Sequence, residues 1–299
     1  MKNKLIVLFI ILVSSLSIAS NFGGHSIFEY DSEAFDINRI YLQYTDDLND
    51  DLFLKILLDV GRISGSDDDP SEDSKLNAYL KNAYVDWDYK NIGKISMGLL
   101  GTNSYGIQES NWGYRFIAKS PLDQLGWINT ADFGIGYSRN FDKISLNFQM
   151  LNGEGYKSDD FDRNAKTSIR ILYGESKLNK NEGYNAGLVL TNDKRNNEKV
   201  NLLGLFGGWS KGKIRVGAEY NRYDTNDSDV MYANYINYNV SDKWKVFARN
   251  DIVEEVGGDS KHTAYVGAVW KANDKLYISP NILINDRGED VRLTCMFSY

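Results

Sequence analysis

The 299 residues carry 41 acidic against 34 basic side chains, a formal net charge of −7 that argues against nucleic acid as a partner. A single Cys excludes an internal disulfide, so the fold rests on packing and hydrogen bonding alone. Twenty Tyr, 13 Phe and 6 Trp against only 3 Pro favour strands.

Lys2 and Lys4 precede an uncharged apolar run from Leu5 to Val13, and small residues follow up to Ala19 and Ser20. This pattern predicts a signal peptide over residues 1–20 and a mature chain over 21–299 with a net charge of −9. The run is shorter than the ~20 residues a helical span needs, and no later segment is apolar for that long. If the mature chain enters a membrane, it does so as strands.

Strand candidates then recur every ten to twenty residues. A short one lies near His25–Tyr30. Ile40, Leu42 and Tyr44 alternate with Arg39, Tyr41 and Gln43, and Leu52, Leu54, Ile56, Leu58 and Val60 share one parity against Lys55 and Asp59. An acidic stretch between Gly61 and Lys75 reads as a loop. Leu76 to Trp87 fits helical spacing, whereas Ala83, Val85, Trp87 and Tyr89 fit a strand with Asn82, Asp86 and Asp88 opposite; the strand reading is preferred from its context.

After Ile95, Met97 and Leu99, alternation stops over Thr102 to Trp127, the longest interruption in the mature chain. It resumes at Ala131–Tyr137 and Ile144–Met150, and then at Thr167–Tyr173, Tyr184–Leu190, Val200–Trp209, Ile214–Tyr220, Val230–Tyr238, Trp244–Ile252, Ala264–Trp270 and Leu276–Ile284. Short connectors such as 210–213 and 241–243 separate longer polar ones at 152–164, 192–198 and 254–261. Short turns at one end and long loops at the other are the pattern of a transmembrane antiparallel β-barrel. An even count gives sixteen strands if His25–Tyr30 is the first, and fourteen otherwise.

In the last ten residues, Val291, Leu293, Cys295, Phe297 and Tyr299 share one face while Arg292, Thr294 and Ser298 share the other. This resembles the closing strand of bacterial outer-membrane barrels, which the barrel-assembly machinery reads. Asn38–Tyr44, Leu57–Gly61, Ala83–Asp86, Trp112-Gly-Tyr-Arg-Phe116 and Asn152-Gly-Glu-Gly-Tyr156 are similar to segments of the phosphate-selective-type porins. The resemblance implies an outer-membrane porin, and a homotrimer is implied by it alone. It also implies that Thr102–Trp127 is a third external loop folded into the lumen. That family's arginine ladder and lysine ring are not evident, because the loop offers only Arg115 and Lys119 beside Glu109 and Asp123.

A sixteen-stranded barrel leaves an aqueous channel, so one parity faces lipid and the other faces water and carries charge. The lumen parity holds Arg39, Lys55, Arg170, Arg215, Lys245, Arg249 and Arg292 against Asp59, Asp86, Asp88, Asp132, Glu219 and Asp251. The expectation is passive conduction of ions and small hydrophilic solutes. Glu109, Arg115, Lys119 and Asp123 are expected to form the constriction, the two acids facing wall arginines among Arg39, Arg170, Arg215 and Arg249. Asp67, Asp68, Asp69, Asp159, Asp160, Glu254 and Glu255 predict an acidic external mouth. Trp87, Tyr89, Trp209, Trp244 and Trp270 fall near short-turn ends, where an aromatic girdle sits.

Two other classes stay open. A closed barrel with a structural or adhesive role would conduct no ions. A barrel hydrolase would draw on His25 or on His262, which follows Asp259 and Ser260. No metal-ligand cluster or phosphate-binding glycine loop shows convincing spacing, so no cofactor is expected.

Overall fold

The computed structural model describes residues 21–62, 76–90, 92–158, 164–195 and 198–299. The signal-peptide expectation for 1–20 and most of the acidic 61–75 loop lie outside the described residues. Sixteen strands follow in chain order: β1 (Asn21–Tyr30), β2 (Phe35–Asn49), β3 (Leu52–Arg62), β4 (Leu76–Tyr89), β5 (Gly93–Gly101), β6 (Ala131–Phe141), β7 (Ile144–Leu151), β8 (Lys166–Gly174), β9 (Gly183–Arg195), β10 (Glu198–Lys211), β11 (Ile214–Asp224), β12 (Ser228–Asn239), β13 (Trp244–Glu254), β14 (Lys261–Lys271), β15 (Leu276–Asn285) and β16 (Gly288–Ser298). Each pairs antiparallel with its neighbours, and β1 pairs with β16, so the barrel is closed. At the seam the Gly24 and Tyr299 amides each donate to the other's carbonyl at 3.1 Å. Among the described residues every strand has a paired neighbour on both sides, which is what hydrocarbon demands of a spanning sheet.

The alternation read from the sequence sets the two faces. Leu42, Leu58, Phe148, Leu205, Ile236, Val266, Leu293 and Phe297 point outward and are exposed, forming a lipid-facing belt. Trp87, Tyr89, Trp209, Trp244 and Trp270 are exposed at the short-turn end of this belt. Trp244 stacks on Trp270 across the β13–β14 pair, centroids 6.0 Å apart.

The helical look of Leu76–Trp87 has a local cause. Leu57 pairs with Asn82 and Leu58 with Leu80, so Lys81 is a bulge residue that switches the parity of β4. Leu76 and Leu80 face outward before the bulge, and Ala83, Val85 and Trp87 after it, so a three-residue step interrupts the period of two. Pro280 is accommodated by a gap in the ladder. Pairing of β14 with β15 runs to Gly267–Asn281 and resumes at Trp270–Ile278, so the missing proline N–H falls in the gap. The polar stretch 192–198 is mostly ladder rather than loop, because β9 and β10 stay paired out to Arg195–Glu198.

The wall is not uniform inside. On β9, β10, β12 and β13 the lumen parity carries apolar residues among its polar ones, with Val189, Val200, Leu202, Phe206, Met231, Ala233, Tyr235, Phe247 and Val253 all buried. A water-filled lumen would leave these side chains wet. The 102–130 loop covers them.

With Ile56 on the outward parity of β3, a Lys or Arg there is expected to lower stability by about 2–4 kcal/mol, while Lys55→Met on the lumen parity changes it far less. Reversible unfolding from lipid vesicles measures both; a larger loss for Lys55→Met would reverse the assigned faces.

Candidate functional site

The loop between β5 and β6 contains two short helices, α1 (Gly106–Trp112) and α2 (Pro121–Leu125). Gly113 ends α1 in the left-handed region at φ 77°, where a Cβ would also collide with the Arg215 guanidinium. Pro121, at the start of α2, needs no amide partner there. The neck is pinned by Thr102, whose amide donates to Thr130 O at 3.1 Å and whose hydroxyl donates to Asn129 O at 2.8 Å. The Asn103 amide donates to Gln149 Oε1 at 3.0 Å.

From the neck the loop runs down the apolar wall. Ile107 is buried with Leu172, Val189 and Phe206. Asn111 and Asn185 of β9 exchange amide hydrogen bonds in both directions at 2.8 Å. The carbonyl of Trp112, at the negative end of α1, accepts from Arg215 Nη2 at 2.9 Å and from Asn237 Nδ2 at 3.0 Å. The Trp112 ring, 1% exposed, sits edge-on to Tyr114 and Phe247. Arg249 donates from Nη1 to Lys119 O at 2.7 Å while its Nε and Nη2 grip Asp251, and its guanidinium lies between the Trp112 and Tyr265 rings, 5.3 Å from each. Trp127 stacks on Tyr223 as the chain climbs back. Each of these large apolar side chains gains about 1.5–3 kcal/mol by burial, so the loop is held as firmly as a core.

A connector at the opposite end helps to hold it. The 175–182 turn buries Leu178 to 1% exposure, and the Ser110 hydroxyl of α1 donates to Asn179 Oδ1 at 2.8 Å. The loop therefore reaches the short-turn end of the barrel along this wall. Neither Leu178 nor Asn179 stood out in the sequence; the signal was a connector longer than short turns require.

The loop's other face carries the four charged residues expected at the constriction. Arg115 bonds Glu109 through Nε at 2.8 Å and Asp123 through Nη2 at 2.9 Å, so the loop's acids are satisfied within the loop. Arg115, a residue of the loop itself, is their salt-bridge partner, ahead of any wall arginine. Arg215 and Arg249 lie on the inner wall but beneath the loop, where they hold loop carbonyls instead of lining water. Their reach explains why: the planar fork satisfies orphan carbonyls that no backbone donor can meet.

Across from the loop stands a second cluster on β2–β4. Arg39 Nη1 and Lys81 Nζ both approach Asp59, at 3.1 Å and 3.4 Å, with the Asp59 side chain fully buried. Lys81 also lies over the Tyr41 and Tyr156 rings, and Lys157 over Tyr79 and Tyr156. The two clusters feel each other. Burial raises the Glu109 carboxyl above its ordinary range, Arg115 opposes this, and the Lys81 charge contributes from across the gap. Burial lowers the Lys119 ammonium, and Arg39 and Lys81 are among the charges that depress it further. Lys81 escaped the sequence reading because the bulge hid the parity of β4. Lys55, Arg170 and Lys245 lie on the lumen parity without joining either cluster. Of the acids expected at the mouth, Asp67, Asp68, Asp69, Asp159 and Asp160 lie outside the described residues, and Glu255 is bonded to Lys261 at 2.6 Å.

No protein-family model and no curated protein sequence matches this chain. Solved structures do. OmpF of Salmonella typhi, in complex with daunomycin, superimposes with a TM-score of 0.68 at 10% identity over 94% of this chain and 97% of its own. An anion-selective porin from Comamonas acidovorans gives 0.65 at 13% identity over 94% and 99%. The trimer form of OmpT, an outer membrane protein of Vibrio cholerae, gives 0.63 at 15% identity over 94% and 99%. At such identities the likeness establishes the fold, and that fold is the sixteen-stranded barrel of bacterial outer-membrane porins.

Replacing Arg249 by Met is expected to cost about 3–5 kcal/mol, because it strands Asp251 as a buried, unpaired carboxylate. The double variant Arg249→Met/Asp251→Leu is expected to recover most of that loss; thermal unfolding in detergent compares the two, and equal losses would contradict the pairing.

Proposed function

We propose that the chain is an outer-membrane porin, a water-filled channel for passive diffusion of ions and small hydrophilic solutes, with its short-turn end toward the periplasm. The observation that carries this reading is the division of the lumen. The 102–130 loop packs on the apolar wall of β9–β14, and its charged face is turned toward the charged, tyrosine-rich wall of β2–β4. A non-conducting barrel would have no use for that second, hydrated wall. The constriction lies between Glu109, Arg115, Lys119 and Asp123 on the loop and Arg39, Lys81 and Asp59 on the wall.

A homotrimer fits this reading, since a structural relative is described in a trimer form. Outer-membrane lipid meets the apolar belt, and the closing strand suits recognition by the barrel-assembly machinery. The hydrolase alternative gains no support from its histidines. His25 faces the lumen with its ring 4.9 Å from Tyr41, whereas His262, the second residue of β14, lies on the outward parity.

Shortening the loop within 102–127 while keeping its flanking strands is expected to raise single-channel conductance in planar bilayers and to admit larger sugars. An unchanged conductance and size limit in a folded variant would remove the loop from the constriction.

Selectivity follows from the charges at the gap. Arg39, Lys81, Arg115, Lys119 and Lys157 outnumber Asp59, Glu109 and Asp123, so the constriction favours anions. Because the Glu109 carboxyl is raised by burial, it takes up its proton at a higher pH than an ordinary glutamate, and the anion preference grows as pH falls through that window. Glu109→Gln is expected to show the low-pH preference already at pH 7. Reversal potentials across a salt gradient decide this, and a selectivity unchanged in the variant would refute the assignment.

A further inference from the structure

Between the folded-in loop and the short-turn end, the hydrated side of the barrel opens into a polar cavity of about 840 Å³. On its wall Ser138, Asn147 and Arg170 are direct cross-strand neighbours, Ser138 opposite Asn147 and Asn147 opposite Arg170. Strand spacing sets them about 5 Å apart in one row. Gly136 leaves the wall beside this row without a side chain, and Asn103 and Ile107 of the loop also line the cavity.

Arg170 differs from the other described arginines on the lumen parity. Arg39, Arg195, Arg249 and Arg292 each bond a carboxylate, and Arg215 bonds the Trp112 carbonyl. Among the described residues Arg170 has no hydrogen bond, ion pair or ring contact, and its Nε is buried without a partner. The neighbouring Asn147 Oδ1 is buried without one as well. A guanidinium set in a confined, polar cleft with its donors unused is a place where a mobile anion binds, because a fork of N–H donors fits a carboxylate and low-dielectric walls strengthen the attraction.

The surroundings narrow the class of anion. Row neighbours on the Arg170 side are a hydroxyl and an amide, which exchange hydrogen bonds with hydroxyl groups. The same cavity is lined by Asp86 and Asp88 on β4, of which Asp86 is neutralised by Lys94 at 2.8 Å and Asp88 is not. Arg139 lines the cavity as well, so Lys94, Arg139 and Arg170 face Asp86 and Asp88, three cations against two acids, a balance that suits a single negative charge and disfavours a dianion.

Building on the channel reading, we propose that this row is a solute subsite for small hydroxycarboxylates, singly charged acids bearing several hydroxyl groups. Arg170 takes the carboxylate, and Asn147 and Ser138 exchange hydrogen bonds with the hydroxyls. The subsite lies beyond the constriction, on the short-turn side.

Planar-bilayer recording of the full barrel in chloride electrolyte tests it, with gluconate, glucose and inorganic phosphate at pH 8 as probes. Gluconate added on the short-turn side is expected to interrupt the current at concentrations about tenfold or more below those at which glucose does, the difference one charge-assisted hydrogen bond makes. Arg170→Gln is expected to abolish that difference, and Arg170→Lys, which keeps the charge and loses the fork, to retain part of it. Asn147→Leu, which leaves the guanidinium in place, is expected to shorten the gluconate interruptions. Gluconate block unchanged in Arg170→Gln, or phosphate blocking as tightly as gluconate, would overturn the subsite while leaving the channel intact. A barrel that inserts and passes no current would instead overturn the channel reading beneath it.

Discussion

Hydrocarbon offers no hydrogen-bond partner, so a chain that crosses it as strands must pair every backbone N–H and C=O within itself, and only closure does this for a sheet. Much of the architecture follows from that constraint. The Gly24–Tyr299 exchange at the seam, the ladder gap at Pro280 and the bulge at Lys81 are three local solutions to keeping sixteen strands paired. Closure at this strand number also creates an interior too wide for wall side chains to fill. Something else must occupy it, and the candidates are water and the chain's own loops.

The protein uses both, divided by the chemistry of the wall. Where apolar residues face the lumen, chiefly on β9, β10, β12 and β13, the 102–130 loop lies against them and supplies Ile107, Trp112, Tyr114 and Leu122 as a second layer. Where they are charged or phenolic, on β2–β4, the loop turns a hydrophilic face and leaves a gap. Burying loop backbone beside an apolar wall would strand its carbonyls. Arg215, Asn237 and Arg249 reach in to satisfy those of Trp112 and Lys119.

Arginine accordingly has two roles. Arg215 and Arg249 are structural, their donors consumed by the loop and by Asp251. Arg39 is tied to Asp59 at the edge of the gap. Arg170 alone among them keeps its donors unspent, and it does so where the lumen opens into the polar cavity. Position in the alternation assigns all four to the lumen, but only the loop's path separates those that hold it from those that do not.

The sequence by itself determined the class of fold and the two faces, and narrowed the strand count to sixteen or fourteen; the pairing of β1 with β16 decided it. Period-two alternation is local and rides on every strand, so Ile40–Leu42–Tyr44, Leu52–Val60 and Val291–Tyr299 could be assigned outward without knowing their neighbours. The longest break in alternation likewise marked the loop, because a segment that does not alternate does not span. Tertiary structure alone decided which charges meet. Glu109 and Asp123 could have paired with any arginine in reach, and their choice of Arg115 depends on how α1 and α2 fold back on each other. Lys81 joined Asp59 through a bulge that no pattern of period two can announce, since the extra residue shows only in the register with β3. The apolar second parity of β10 and β12 was written in the sequence all along. Its meaning depended on contacts between residues a hundred positions apart, and such contacts leave no periodic trace.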